Sequence, residues 1–261
     1  MDSSLYVAKT GLNAQQTRMT VIANNLANVN TVGFKRDRAV FEDLLYLNIR
    51  QSGGQTGADS EAPTGFMLGT GTRVVASEKI QTQGNMISTE NALDVAIQGP
   101  GYFQIVQADG TLSYTRDGSF KLSAEGELVN PAGLLLQPQI VIPQEASSVT
   151  VGTDGIVSVE LANGGGNQEI GQLQVARFLN PAGLEAMGQN QFKETASSGA
   201  PILLVPGEQG AGDLVQGMLE ASNVNVVEEL VTMIETQRAY EVNSKAISAV
   251  DSMLRFLNNN L

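Results

Sequence analysis

Apolar residues near the start of the chain recur at steps of three and four. Leu5, Ala8, Leu12, Met19, Ile22, Leu26 and Val29 form one stripe, broken only by Gln15, and this spacing predicts a helix with a heptad seam, running to about Asn28. At the other end Val226, Met233, Tyr240, Ile247, Leu254 and Leu261 fall every seven residues, flanked by Leu230 early and by Val250 and Leu257 later. Asn225 stands where it can cap this second helix, and Glu228 and Glu229 favour the positive end of its dipole. At 1.5 Å per residue the first helix is about 39 Å long and the second, ending near Leu257, about 48 Å. A lone helix cannot bury such a stripe. The pattern therefore predicts a coiled coil from both termini, whose unequal lengths leave an excess for another subunit to cover.

Between the helices the period changes to two. Leu93, Val95 and Ile97 alternate, Tyr102, Phe103, Ile105 and Val106 follow, and turn signals arrive at Asp109-Gly110, Asp117-Gly118, Glu125-Gly126 and Asp154-Gly155. Short antiparallel strands joined by tight turns fit this spacing. Further strand candidates are Ile140 to Ile142, Val149 to Val151, Ile156 to Val159 and Leu173 to Phe178, with Gly164-Gly165-Gly166 as a loop tip. From Gln51 to Gly71 the chain is rich in Gly, Thr, Ser and Gln and reads as an extended connector, long enough that a neighbour must order it or leave it flexible. The expected fold is α+β: a discontinuous α-helical coiled-coil domain from both termini, a central all-β domain and an extended connector. Its expected parts are an N-terminal helix in residues 1–35, a connector, extended and β, in 36–90, the β domain in 91–200, a return connector in 201–217 and the C-terminal helix in 218–261.

Composition narrows the chemistry. The chain has no cysteine and no histidine, which removes the common transition-metal ligands, the Ser-His-Asp and Cys-His arrangements and the side chain best suited to proton transfer near neutral pH. A carboxylate enzyme would have to use a pair from Asp94, Asp109, Asp117 or Glu125, and these fall mostly at turn positions; no catalysis, cofactor or metal is expected. The net charge of −12 with 15 basic residues argues against a nucleic-acid partner. The acidity is concentrated in residues 51–215, which carry six basic and seventeen acidic side chains. No apolar run reaches the roughly 18 residues of a membrane span, and Met1-Asp2-Ser3-Ser4 lacks the start of a cleaved signal, so a cytoplasmic protein is expected unless a dedicated export machine carries it out.

The first helix is also poor in charge. Within residues 1–32 only Asp2, Lys9 and Arg18 are charged, while Asn13, Thr20, Asn24 and Asn28 lie near one face. An amide both donates and accepts, so it can pair with its own copy in a homopolymer, where a repeated charge would repel. Self-association is expected at Leu5, Leu12, Met19, Ile22, Asn24, Asn25, Leu26 and Asn28, and at Val226, Leu230, Met233, Tyr240, Ile247, Leu254 and Leu257. A trimeric fibre or adhesin would share this outline of stalk and β head.

The run from Ala23 through Asn30 to Lys35 resembles the N-terminal signature of the bacterial flagellar rod and hook proteins. Glu220 to Glu229, Met233-Ile234 and Gln237 to Asn243 resemble the matching C-terminal motif, and Gly99 to Phe103, Tyr114 to Phe120 and Gly126 to Gly133 are similar to the family's shared β domain. Within that family the length and the segments Leu68 to Arg73 and Thr82 to Asn85 resemble distal rod subunits, with proximal rod subunits of similar length as the nearest competitor. The resemblance implies a subunit that leaves the cell unfolded through the flagellar export apparatus, without a cleaved signal, and adds under a rod cap. It further implies a rigid hollow rod across the periplasm, with itself, proximal rod proteins, the hook and its adaptor region, and the peptidoglycan and outer-membrane ring proteins as partners. The lack of cysteine suits passage into an oxidising space.

Overall fold

The computed structural model describes residues 3–51, 55–57, 60–61, 64–162, 166–208 and 210–259. Its chain divides into two compact units. The first comprises Met1–Ala27, Asp37–Glu78 and Asn225–Leu261, and the second comprises Asn28–Arg36 and Lys79–Val224.

In the first unit, helix α1 spans Ser3–Ala27 and helix α2 spans Val226–Asn259. The Asn225 side chain caps α2, its Oδ1 accepting from the Val227 N–H at 3.0 Å and the Glu228 N–H at 3.4 Å. The helices lie against each other in opposite directions. Gly11 faces Asn243, and Asn25 on α1 donates to Glu229 on α2 at 3.4 Å, fourteen residues further along α1 and fourteen back along α2. In this register Ser3, the first described residue of α1, lies at about the level of residue 251 of α2.

The expected coiled-coil domain does not form. Apart from these two helices and a 3-10 turn at Pro181–Gly183, the regular structure among the described residues is β-strand. Knobs-into-holes packing needs apolar side chains on the facing stripes. Here the contacts between the helices include Gly11, Asn25, Glu229 and Asn243, and the buried residues of the pair, among those described, are Ala14, Ile22, Asn25, Glu229 and Thr236, only two of them apolar. A Cβ on Gly11 would lie 3.2 Å from the Asn243 amide nitrogen, so the helices approach closely at that level through a polar side chain. Of the α2 stripe, Val226, Leu230, Tyr240 and Leu254 are 39, 43, 40 and 37% exposed.

The segment after α1 that reads as a connector is a β-ribbon. Asp37–Asp43 pairs with Thr72–Lys79, Leu47–Arg50 pairs antiparallel with Phe66–Leu68, and Gln55–Gly57 pairs antiparallel with Ser60–Glu61. Gly164, Gly165 and Leu261, assigned above to a loop tip and to the heptad, lie outside the described residues.

The second unit is built on a seven-stranded sheet. Its order is Lys121–Leu122, Leu128–Val129, Leu135–Gln137, Phe103–Val106, Leu112–Thr115, Gln191–Lys193 and Glu185–Gly188, with antiparallel neighbours throughout. A three-stranded sheet of Ala146–Val151, Ile156–Leu161 and Asn167–Gln172 accompanies it. Two-stranded pairs join Val95–Gln98 to Asp213–Gln216, Met86–Ser88 to Met218–Glu220 and Val175–Arg177 to Ile202–Leu204. The alternation along these strands sends Val95, Ile97, Phe103, Ile105, Leu136, Val157 and Leu214 into one continuous core. A smaller aromatic cluster holds Tyr102, Tyr114, Phe178 and Phe192, with edge-to-face rings 4.8–5.9 Å apart.

Candidate assembly surface and the buried ionic cluster

The α1 positions expected to drive self-association sit at three depths. Ile22 and Asn25 are buried, Leu5, Leu12, Met19, Leu26 and Asn28 are half-buried, and Asn24 is exposed. Asn25 belongs to the interior of the first unit. Its amide donates to the Asp37 carbonyl at 2.9 Å and its oxygen accepts from the Asp37 N–H at 2.8 Å, so it holds the ribbon's first residue like a strand partner. Asn28 Oδ1 accepts from the Thr31 hydroxyl at 3.2 Å in the turn that follows α1.

On α2, Met233 and Ile247 are half-buried and the remaining described heptad positions are exposed; the side chain of Leu257 lies outside the described residues. A second apolar face of this helix escaped the heptad reading. Val227, Val231 and Ile234, spaced by four and three, are each more than half exposed. Together with Leu230 they make a contiguous apolar surface on the first two turns.

The β-ribbon carries another such surface. Leu45 is 90% exposed, and Tyr46, Leu47, Ile49, Phe66 and Met67 are each at least half exposed. Beside Leu45 lies an open cleft of about 580 Å³ lined by Tyr6, Glu42, Leu44, Thr70 and Arg73, where Arg73 and Glu42 form an ion pair. Composition masked this surface in the sequence, because Gly, Thr, Ser and Gln surround the apolar residues and suggest a loop.

The second unit hides a cluster that sequence reasoning missed. Lys35, Arg116 and Glu220 are 1, 4 and 1% exposed. Lys35 Nζ donates to Glu220 Oε1 at 2.6 Å and to the Thr82 carbonyl at 2.8 Å, while Arg116 Nε lies 3.4 Å from Glu220 Oε2. The Gly84 N–H donates to the same Oε1 at 2.9 Å, and Arg116 Nη2 to the Gly99 carbonyl at 2.6 Å. Burial, reinforced by the Arg116 charge, lowers the Lys35 pKa, and Glu220 opposes the shift in part. Gly33 fits closely above Arg116: its φ is +69°, and a Cβ there would come within 2.8 Å of the Arg116 carbonyl carbon. Only glycine meets both demands without strain.

Comparison with known proteins gives these sites a context. Residues 5–35 match the family described as flagella basal body rod protein, 215–260 the flagellar basal body rod FlgEFG protein C-terminal family, and 96–159 the flagellar hook protein FlgE/F/G D1 domain. The flagellar basal-body rod protein FlgG of Buchnera aphidicola subsp. Schizaphis graminum is 52% identical over 257 residues, 98% of this chain and 99% of the relative. The chain belongs to the flagellar basal-body rod protein family. In Caulobacter vibrioides the rod protein FlgG is 47% identical, covering 97% of both chains, and the rod protein FlgF is 36% identical, covering 98% of this chain and 96% of the relative. A rod protein is a structural part of the flagellar basal body and not an enzyme, and membership implies self-assembly into the rod with links to other flagellar components. The three matched segments of this rod protein each supply one member of the buried cluster: Lys35, Arg116 and Glu220 in turn.

Proposed function

We propose that this rod protein is a subunit of the distal rod, where copies self-assemble into a rigid hollow helical shaft that passes torque from motor to hook and conducts exported subunits. The observation that carries the reading is the amount of apolar surface the first unit leaves in water. Val227, Leu230, Val231 and Ile234 on α2 and Leu45 to Ile49 on the ribbon ask for cover from outside the molecule. Each exposed face differs from the other, so contacts between copies are heterologous, and a heterologous contact that does not close generates a helical polymer. The greater identity to FlgG than to FlgF of one organism supports a distal position over the proximal one.

On this reading Leu5, Leu12, Met19, Leu26 and Asn24 on α1 and Met233, Tyr240, Ile247, Leu254 and Leu257 on α2 contribute to contacts between copies. Proximal rod proteins, the hook and its adaptor region, the peptidoglycan and outer-membrane ring proteins, the rod cap and the export apparatus are the further partners. The shaft crosses the periplasm, and the subunit reaches it unfolded without a cleaved signal.

The ribbon then stiffens the lattice, since its apolar residues sit between neighbours. Deleting residues 46–75 is expected to give a curved or bendable polymer by electron microscopy. A deletion polymer that stays straight and stiff would remove this role from the ribbon.

A further inference from the structure

We propose that Lys35, Arg116 and Glu220 form a closure lock, through which residues 28–36 and 79–85 take their native places only when the last segment of the second unit, residues 218–224, docks. Both cations lie in parts of the chain made before residue 218, and among the described residues the carboxylate within 4 Å of either, Glu220, comes from that segment. Until it arrives their remaining partners are neutral: the Thr82 carbonyl for Lys35, and the Gly99 and Ile97 carbonyls and the Tyr102 ring for Arg116. Dipoles of this kind solvate a charge without neutralising it, and a buried charge needs a counter-charge.

The docking segment brings backbone bonds with its carboxylate. The Gly33 N–H donates to the Glu220 carbonyl at 2.8 Å, and the Ala221 N–H to the Asn85 carbonyl at 2.8 Å. Asn223 Oδ1 accepts from the Arg36 N–H at 2.7 Å, and its amide donates to the Ile80 and Thr82 carbonyls at 2.8 and 3.0 Å. One segment therefore completes the hydrogen bonding of two others while it neutralises the charges they bury. The main apolar core needs none of this, because its buried members lie between Val95 and Leu214. A chain that stops short of residue 218 can gather that core yet keeps residues 28–36 and 79–85 open, so closure reports that the chain extends through residues 218–224.

Amide hydrogen exchange on the full-length chain tests the lock. Glu220→Gln is expected to speed exchange roughly 100-fold at Gly33, Gly84, Ala221 and Arg36 together, while Phe103 to Val106 and Leu112 to Thr115 keep their protection. Acceleration confined to Gly84, whose N–H meets the altered group directly, would overturn the proposal. If Glu220→Gln unfolds the whole unit, the triple variant Lys35→Met, Arg116→Met and Glu220→Leu decides. With no charge to neutralise, the three segments should open independently at different rates. A single shared opening rate in that variant would show that the charges do not couple them.

Discussion

Tyr102 shows how burial sets the behaviour of one side chain. Its hydroxyl donates to Gln81 Oε1 at 2.7 Å, and its ring packs edge-on against Phe178 and Phe192. Burial pushes the phenol up from 10.0 to about 12, despite the Arg116 charge beside it. The fold thus favours the neutral form: this contribution to stability is intact below pH 10 and is lost as the pH rises from 10 to about 12. At about 1.4 kcal/mol per pH unit the loss reaches up to about 3 kcal/mol. Lys35 acts in the opposite sense, since its lowered pKa weighs against the fold at lower pH and is relieved toward 10.5. Tyr102→Phe should lower stability by about 1 kcal/mol at pH 8, through the lost hydrogen bond. Urea midpoints measured from pH 8 to 12 should then lose less stability above pH 10 than the parent. Lys35, Arg116 and Glu220 all stood inside segments whose resemblance marked the family. What the sequence hid was their contact, because Lys35 and Glu220 are 185 positions apart and no local periodicity reports such a pairing.

Among the elements, strands were more legible than helix partners. Asp-Gly pairs at Gly110 and Gly155 and the Glu-Gly pair at Gly126 turn the chain between strands, and their φ angles of +81, +83 and +84° suit glycine. Asp117-Gly118 has the same letters for another reason. The Val95 N–H donates to the Gly118 carbonyl at 3.0 Å, and a Cβ on Gly118 would come 1.7 Å from the Val95 carbonyl oxygen. Gly118→Ala must therefore push apart two backbones of the core, and a loss on the order of 3 kcal/mol is expected, read as a fall in thermal midpoint by circular dichroism. An unchanged midpoint would mean the approach is easily relaxed. The helices misled in a different way. A heptad stripe states that a helix has something to bury, but it does not say whether the partner lies in the same chain. Gly11, Asn25, Glu229 and Asn243 took places in the internal seam, and of the apolar stripes only Ile22 is fully buried while Val226, Leu230, Tyr240 and Leu254 are left exposed.

At the level of the whole molecule, this outward surface separates folding from assembly. Val231 is more than half exposed and belongs to no buried cluster, so Val231→Asp should leave the monomer's stability within about 0.5 kcal/mol. The same change places a charge in every repeat of a polymer contact, and sedimentation should show that polymer formation is abolished. Polymers of normal length from the variant would exclude this face of α2 from the interface. The turns at the end of α2 carry a last consequence. Met253 and Leu254 lie past the level of Ser3, the first described residue of α1, with Met253 59% exposed. An assembly that covers this projection with the next copy always offers a projection at one tip and a receptor at the other. Its two tips are chemically unlike, so each end presents a different surface to whatever part of the flagellum it meets.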